Sequence, residues 1–119
     1  MSTMSVEQIF SSQAIAATET AEKAIDMFNE GMASEGDLTL QGKVVAAAGT
    51  RAVKVEALVS IDGTNYVLED PPIVSNWVAQ DDDDNWHIDI AVVAKAPHVK
   101  IRLTGLAGAG AVVDMWACY

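Results

Sequence analysis

The chain has 119 residues, half of them apolar, and 17 acidic against 7 basic side chains give a net charge of −10. That is enough material for one domain with its own core, which excludes a disordered chain, while the acidic balance excludes nucleic acid and membrane surfaces as partners because binding phosphates takes clustered Lys and Arg. One cysteine, Cys118, cannot form an internal disulfide, and neither the N-terminus nor any later run has the basic start or the roughly 20 apolar residues of an exported or membrane-spanning segment, so a soluble protein made in the cytoplasm without export is expected.

The first third is ambiguous. Ala21, Ala24, Ile25, Phe28 and Met32 recur at the spacing of one helical face, Thr18 or Thr20 is available as a cap, and Gly31 can end the segment, so the local pattern favours a helix over 18–33. The preceding Phe10–Thr18 mixes Ser, Thr and Ala without that period, and Ala24–Met27 reads equally as a short strand. A turn cluster at Ser34–Asp37 leads into an alternating strand at Leu38–Leu40, and Gly42 marks a bulge or bend.

The clearest period lies at Val53–Val67. Val53, Val55, Ala57, Val59 and Ile61 alternate with Lys54, Glu56 and Ser60, then Asp62-Gly63 gives a turn and Asn65–Leu68 a returning strand. Glu69-Asp70-Pro71-Pro72 predicts an extended connection, because two prolines remove two backbone donors. Ile73–Ala79 is a short strand, Gln80–Asn85 a charged loop, and Trp86, Ile88, Ile90 and Val92 form the core face of the next strand. After Pro97, Val99, Ile101 and Leu103 alternate with His98, Lys100, Arg102 and Thr104. Gly105–Gly110 is a flexible turn, and Ala111–Cys118 a terminal strand expected to pair with the one before it. Six to eight short strands with regular turns predict an all-β fold, with one short N-terminal helix as a variant: an antiparallel β-sandwich or jelly roll. The arrangement is a single domain, with residues 1–37 as an N-terminal arm or outer strands and 38–119 as the sandwich core.

No enzyme is legible. Ser, His and Asp occur without a nucleophile elbow, no acid–base pair is placed by spacing, and the Gly105-x-x-Gly108-x-Gly110 order reverses the dinucleotide fingerprint, so no catalytic residue or cofactor is assigned. His87 and His98, both expected on outward strand faces, lack zinc-ligand spacing. The Asp81–Asp84 run fails the EF-hand test, since Trp86 stands where the sharp turn needs Gly and Val92 where the bidentate acid belongs; it reads as a solvated loop, with another kind of calcium loop as the alternative, and no metal is assigned.

The surface reading is about contacts. Trp77, Trp86 and Trp116, with Tyr66 and Tyr119, suit either core and interface positions or a sugar-stacking platform. Trp86 shares the parity of Ile88 and Ile90 and is expected in the core, whereas Trp116 and Tyr119 end the chain on an apolar note that suits a subunit contact. His98, Lys100 and Arg102 form a basic stripe, either a solvated face that discourages edge pairing or a docking face for acidic side chains.

Gln13-Ala14 followed by Ile25-Asp26-Met27, the Ser60–Tyr66 hairpin and the late Val99-Lys-Ile-Arg-Leu103 strand resemble the jelly-roll capsid cement, or decoration, proteins of tailed bacteriophages. Met27 is followed by Phe28-Asn-Glu30 where that pattern has Gly. The resemblance implies that the N-terminal segment is extended, as outer strands or an arm. It also implies a dimer or trimer on the outside of the virion shell, clamping the major capsid protein, with Phe10, Ile15, Trp77, His98, Lys100, Arg102, Trp116 and Tyr119 as candidate interface residues. A tail or neck component and a carbohydrate-binding sandwich are the alternatives.

Overall fold

The computed structural model describes residues 6–26, 37–46, 50–80, 84–92, 98–107 and 111–118. These residues form eight strands: β1 (Val6–Ile15), β2 (Thr20–Asp26), β3 (Asp37–Ala46), β4 (Thr50–Ser60), β5 (Val67–Gln80), β6 (Asp84–Val92), β7 (His98–Ala107) and β8 (Ala111–Cys118). Two four-stranded antiparallel sheets result, ordered β1-β8-β3-β6 (sheet 1) and β2-β7-β4-β5 (sheet 2). The pairs β1·β8, β2·β7, β3·β6 and β4·β5 are nested, so the chain is one long hairpin rolled up about its β4–β5 tip. Contacts of β8 and β7 with β3 and β4 close the two sheets, which is the jelly roll.

Alternation in sequence becomes two inner faces. Ala111, Val113, Met115 and Ala117 of β8 are buried while their neighbours are half-exposed, and Val99, Ile101 and Leu103 of β7 repeat the pattern in the opposite sheet. With Val53, Val55 and Ala57 of β4, and Leu38, Leu40 and Val44 of β3, they fill the space between the sheets.

Several expectations are corrected. The helix is not formed: Thr20–Asp26 is β2, paired without interruption from Thr20 opposite Thr104 to Asp26 opposite His98. A long hydrogen-bonding edge on β7 overrides a helical period of small residues, and Ile25 becomes a core anchor opposite Val99. The rest of the expected helix, 27–33, lies outside the described residues. Strand β8 does not pair with β7; the rolled hairpin gives it β1 and β3 as neighbours.

The two prolines lie inside β5, not in a connection. Leu58 is opposite Leu68 but Ala57 is opposite Ile73, so residues 69–72 are extra on β5, an edge strand where missing donors are tolerated. Gly42 makes no bulge, since β3 runs in register through it. A Cβ there would collide with the Asp114 carbonyl and lie 2.9 Å from Trp77 Cζ3, so the missing side chain lets the opposite sheet's tryptophan in. Gly105 likewise is a strand residue, bonded to the 16–19 crossing by Thr18 N–H to its carbonyl (2.9 Å) and its own N–H to the Glu19 carbonyl (3.0 Å), and a Cβ would strike the Ala16 backbone.

Candidate functional site

Sheet 1 turns an aromatic face outward. On β3, Leu38, Leu40, Gly42 and Val44 point inward, which leaves Thr39, Gln41, Lys43 and Val45 outside. Register then builds two rows across the strands. Gln8, Trp116, Gln41 and Ile88 lie opposite one another on β1, β8, β3 and β6, and Asp114, Lys43 and Trp86 form the row beside them.

Trp86 and Trp116 lean together over β3, with ring centroids 6.2 Å apart and planes 22° from parallel. Lys43 Nζ lies 5.9 Å from the Trp86 centroid, within cation–π range. Trp86 is 54 % exposed and Ile88 66 %, so the expected core role of both is overturned. The cause is parity: Asp89 and His87 take the inward positions of β6.

There His87 stacks on the ring of Trp77 (5.2 Å, 11°), and Trp77 donates its indole N–H to Asp89 Oδ2. His87 is therefore not outward, and its Nε2 lies 3.2 Å from the Val78 carbonyl oxygen. Trp77 itself is 1 % exposed and plugs the space between β5 and β6. Phe10 and Ile15 are also core residues, so these three candidates are spent on packing and are not contact residues. The inward placement of Phe10 and Ile15, which the Ser/Ala-rich sequence around them hides, is set by two bulges in β1. Ser12 adopts φ +48° there, with its N–H bonded to Asp114 Oδ1 at 2.7 Å.

Sheet 2 turns a charged face outward, and the basic stripe is part of it. Arg102 Nε donates to Glu56 Oε1 at 3.1 Å, its Nη2 makes an ion pair with the same oxygen at 3.1 Å, and Lys54 Nζ is 3.6 Å from that oxygen. Lys100 Nζ is 3.9 Å from Glu22 Oε1 and 4.2 Å from the Tyr66 ring centroid. Strand β7 is internal to its sheet, so the stripe does not protect an edge; Glu22 of β2 and Glu56 of β4 neutralise it from either side. His98 sits beside Gly63 of the β4–β5 turn.

That turn is built on Asp62. Its Oδ1 accepts the backbone N–H groups of Thr64 and Asn65 (both 2.9 Å) and the Ser60 hydroxyl (2.8 Å), and Oδ2 accepts the Asn65 amide (2.8 Å). The Asn65 and Thr64 backbone donors, then the two side chains, hold its carboxyl well below the usual carboxylate range. Gly63 supplies φ +77°. Ile61 projects from this turn 82 % exposed, flanked by exposed Val67 and Leu68. Cys118 is half-exposed on the outer face of sheet 1. Tyr119 and Asp81–Asp83 lie outside the described residues, and among the described residues no cluster of His, Cys, Asp and Glu could hold a metal ion. Among the described residues no helix is long and apolar enough to cross a membrane.

Three solved structures are similar to this sandwich. The enzymatically active domain of tailspike protein 4 of bacteriophage CBA120 matches with TM-score 0.54 at 10 % identity, over 95 % of this chain and 19 % of that one. The CBM22-1-GH10 modules of xylanase 10B from Clostridium thermocellum, in complex with xylohexaose, match with TM-score 0.56 at 10 % identity, over 95 % and 28 %. A CBM4 structure matches with TM-score 0.50 at 13 % identity, over 93 % and 66 %. The likeness is one of fold. The chain spans about a fifth and just over a quarter of the first two proteins. No family model matches the sequence, and no curated protein matches it.

Proposed function

We propose that the protein is a non-catalytic structural component of a virion, a capsid cement that sits on the outer surface of a phage shell and holds neighbouring major capsid subunits, itself assembling as a dimer or trimer. The observation that carries this reading is the state of residues 6–26. Resemblance to cement proteins implies an extended N-terminal segment, local periodicity favours a helix, and the segment forms β1 and β2, one edge strand in each sheet. A jelly roll is also the fold common to a phage tailspike domain. The acidic net charge suits a position away from packaged DNA.

The β4–β5 tip is the surface best suited to the shell. Ile61, Val67 and Leu68 are exposed apolar side chains on a turn already fixed by Asp62, so little ordering entropy remains to be lost on docking. A cement that binds the expanded lattice better than its precursor stabilises the expanded state by that difference in affinity. Co-sedimentation with shells assembled from the major capsid protein of the same genome, before and after expansion, tests this. Saturable binding to expanded shells with raised heat resistance, weakened by Ile61→Asp, is expected; failure to bind either form sinks the proposal.

A further inference from the structure

We infer that the outer face of sheet 1 is a binding site for a neutral glycan chain, with Trp86 and Trp116 as its stacking platform and Gln41 as its polar contact. This site is separate from the β4–β5 tip and does not depend on the shell reading. Three observations converge on a sugar.

The first is apolar area in one place. Trp86 is more exposed than buried and lies nearly parallel to Trp116 over strand β3, so the two rings together offer a surface to a flat, partly apolar ligand. The second is unspent hydrogen bonding. Gln41 is exposed between the two strands that carry the rings, directly opposite both Trp116 and Ile88, and no hydrogen bond among the described residues engages its amide or either indole N–H. A ligand for this surface must therefore offer C–H faces and, at their edges, groups that both donate and accept, which describes a pyranose with its hydroxyls. A protein hot spot of similar aromatic content would want its polar groups outside the apolar centre, and here the free amide lies within it. The third is charge. A protein of net charge −10 repels uronates and sulfated chains, which leaves neutral hexose and pentose polymers.

Native affinity electrophoresis in gels containing neutral polysaccharide, together with an array of neutral and anionic oligosaccharides that includes xylohexaose, tests the site. Retention by at least one neutral glycan is expected, weakened about tenfold or more by Trp86→Ala and by Trp116→Ala. Trp86→Phe, which keeps a ring on a surface position, restores part of it. Ile61→Asp leaves retention unchanged, so failure of the shell contact and failure of this site are read separately. No retention across the array by the folded protein, retention that survives loss of both tryptophans, or binding confined to anionic chains overturns the inference. So does a result in which the two tryptophan variants lose shell binding and the parent binds no glycan, since the face is then a protein contact.

Discussion

The outer faces of the two sheets solve the same problem in opposite ways. Each is the solvent side of a four-stranded antiparallel sheet with an apolar inner face. On sheet 2 every cation of the β7 stripe that carries a fixed charge meets a carboxylate from a neighbouring strand: Lys100 meets Glu22, and Arg102 meets Glu56. On sheet 1 the corresponding rows hold tryptophan, isoleucine and glutamine beside Lys43 and Asp114, and Trp86 and Ile88 keep more than half of their surface in water. The difference teaches that the fixed cations of the β7 stripe are internally committed, whereas the aromatic face of sheet 1 keeps binding capacity unspent. The experiments that break or sharpen the contrast rank by how deeply each residue is built into the sandwich.

Trp77 ties the faces together, so its loss has the largest effect. It belongs to sheet 2, packs against Gly42 of sheet 1 and bonds Asp89 on β6. Trp77→Ala leaves a cavity between β5 and β6 and an unpartnered carboxylate, and costs about 3–5 kcal/mol by urea unfolding. A loss below about 1 kcal/mol would mean that the sheet edges are held by something other than this side chain.

Next in size is the charge network. Glu56 is 4 % exposed, and Arg102 gives it one hydrogen bond and an ion-pair contact. Arg102→Met leaves the buried carboxylate with Lys54 alone and costs about 1–3 kcal/mol, whereas Glu22→Gln, at the exposed Lys100 pair, costs less than about 1 kcal/mol. Equal losses at the two sites would show that burial does not set their weight.

The β4–β5 turn follows. Asp62 is ionised far into acid in the folded protein because backbone and side-chain donors favour its charge, so its folded pKa lies below its unfolded value. The stability it contributes is therefore complete above about pH 5 and is lost as the pH falls toward the folded pKa. Melting curves of the parent and Asp62→Asn should differ most between pH 5 and 7 and converge in strong acid. A gap that widens as the pH falls would reverse the assignment.

The sequence made the sheets legible where burial is one-sided and long. Val99–Leu103 alternates cleanly in both sequence and burial, Val53–Ala57 alternates in sequence, and both are core strands. Legibility failed where period and partner disagree. Thr20–Asp26 has a helical spacing of small residues, and only the edge of β7, some eighty residues away, makes it a strand. Trp86 failed for a related reason. Parity groups it with Ile88 correctly, but which parity faces inward depends on Asp89 and His87 finding Trp77 across the interior, a contact between sheets that no local pattern carries. The basic stripe was read from one strand, and its carboxylates lie on two others. Gly42 and Gly105 were visible as interruptions, but their reason is close approach by another segment, not a break in the strand.

The smallest effect on stability sits where the contrast is sharpest. Trp86 contributes through its contact with Trp116 and Lys43 and little through burial, so Trp86→Ala costs about 0.2–1 kcal/mol, the scale of a neighbouring side-chain pair on a sheet surface. If the two rings hold each other in place, a double-mutant cycle with Trp116→Ala returns most of that cost as coupling. Coupling matters more than the total. A coupled pair is a preformed platform, which keeps the ligand's binding energy from being spent on ordering side chains. Zero coupling would mean that the rings sample their positions independently; sheet 1 would then be an open apolar surface without a built site, and the contrast with the locked network of sheet 2 would reduce to hydrophobicity alone.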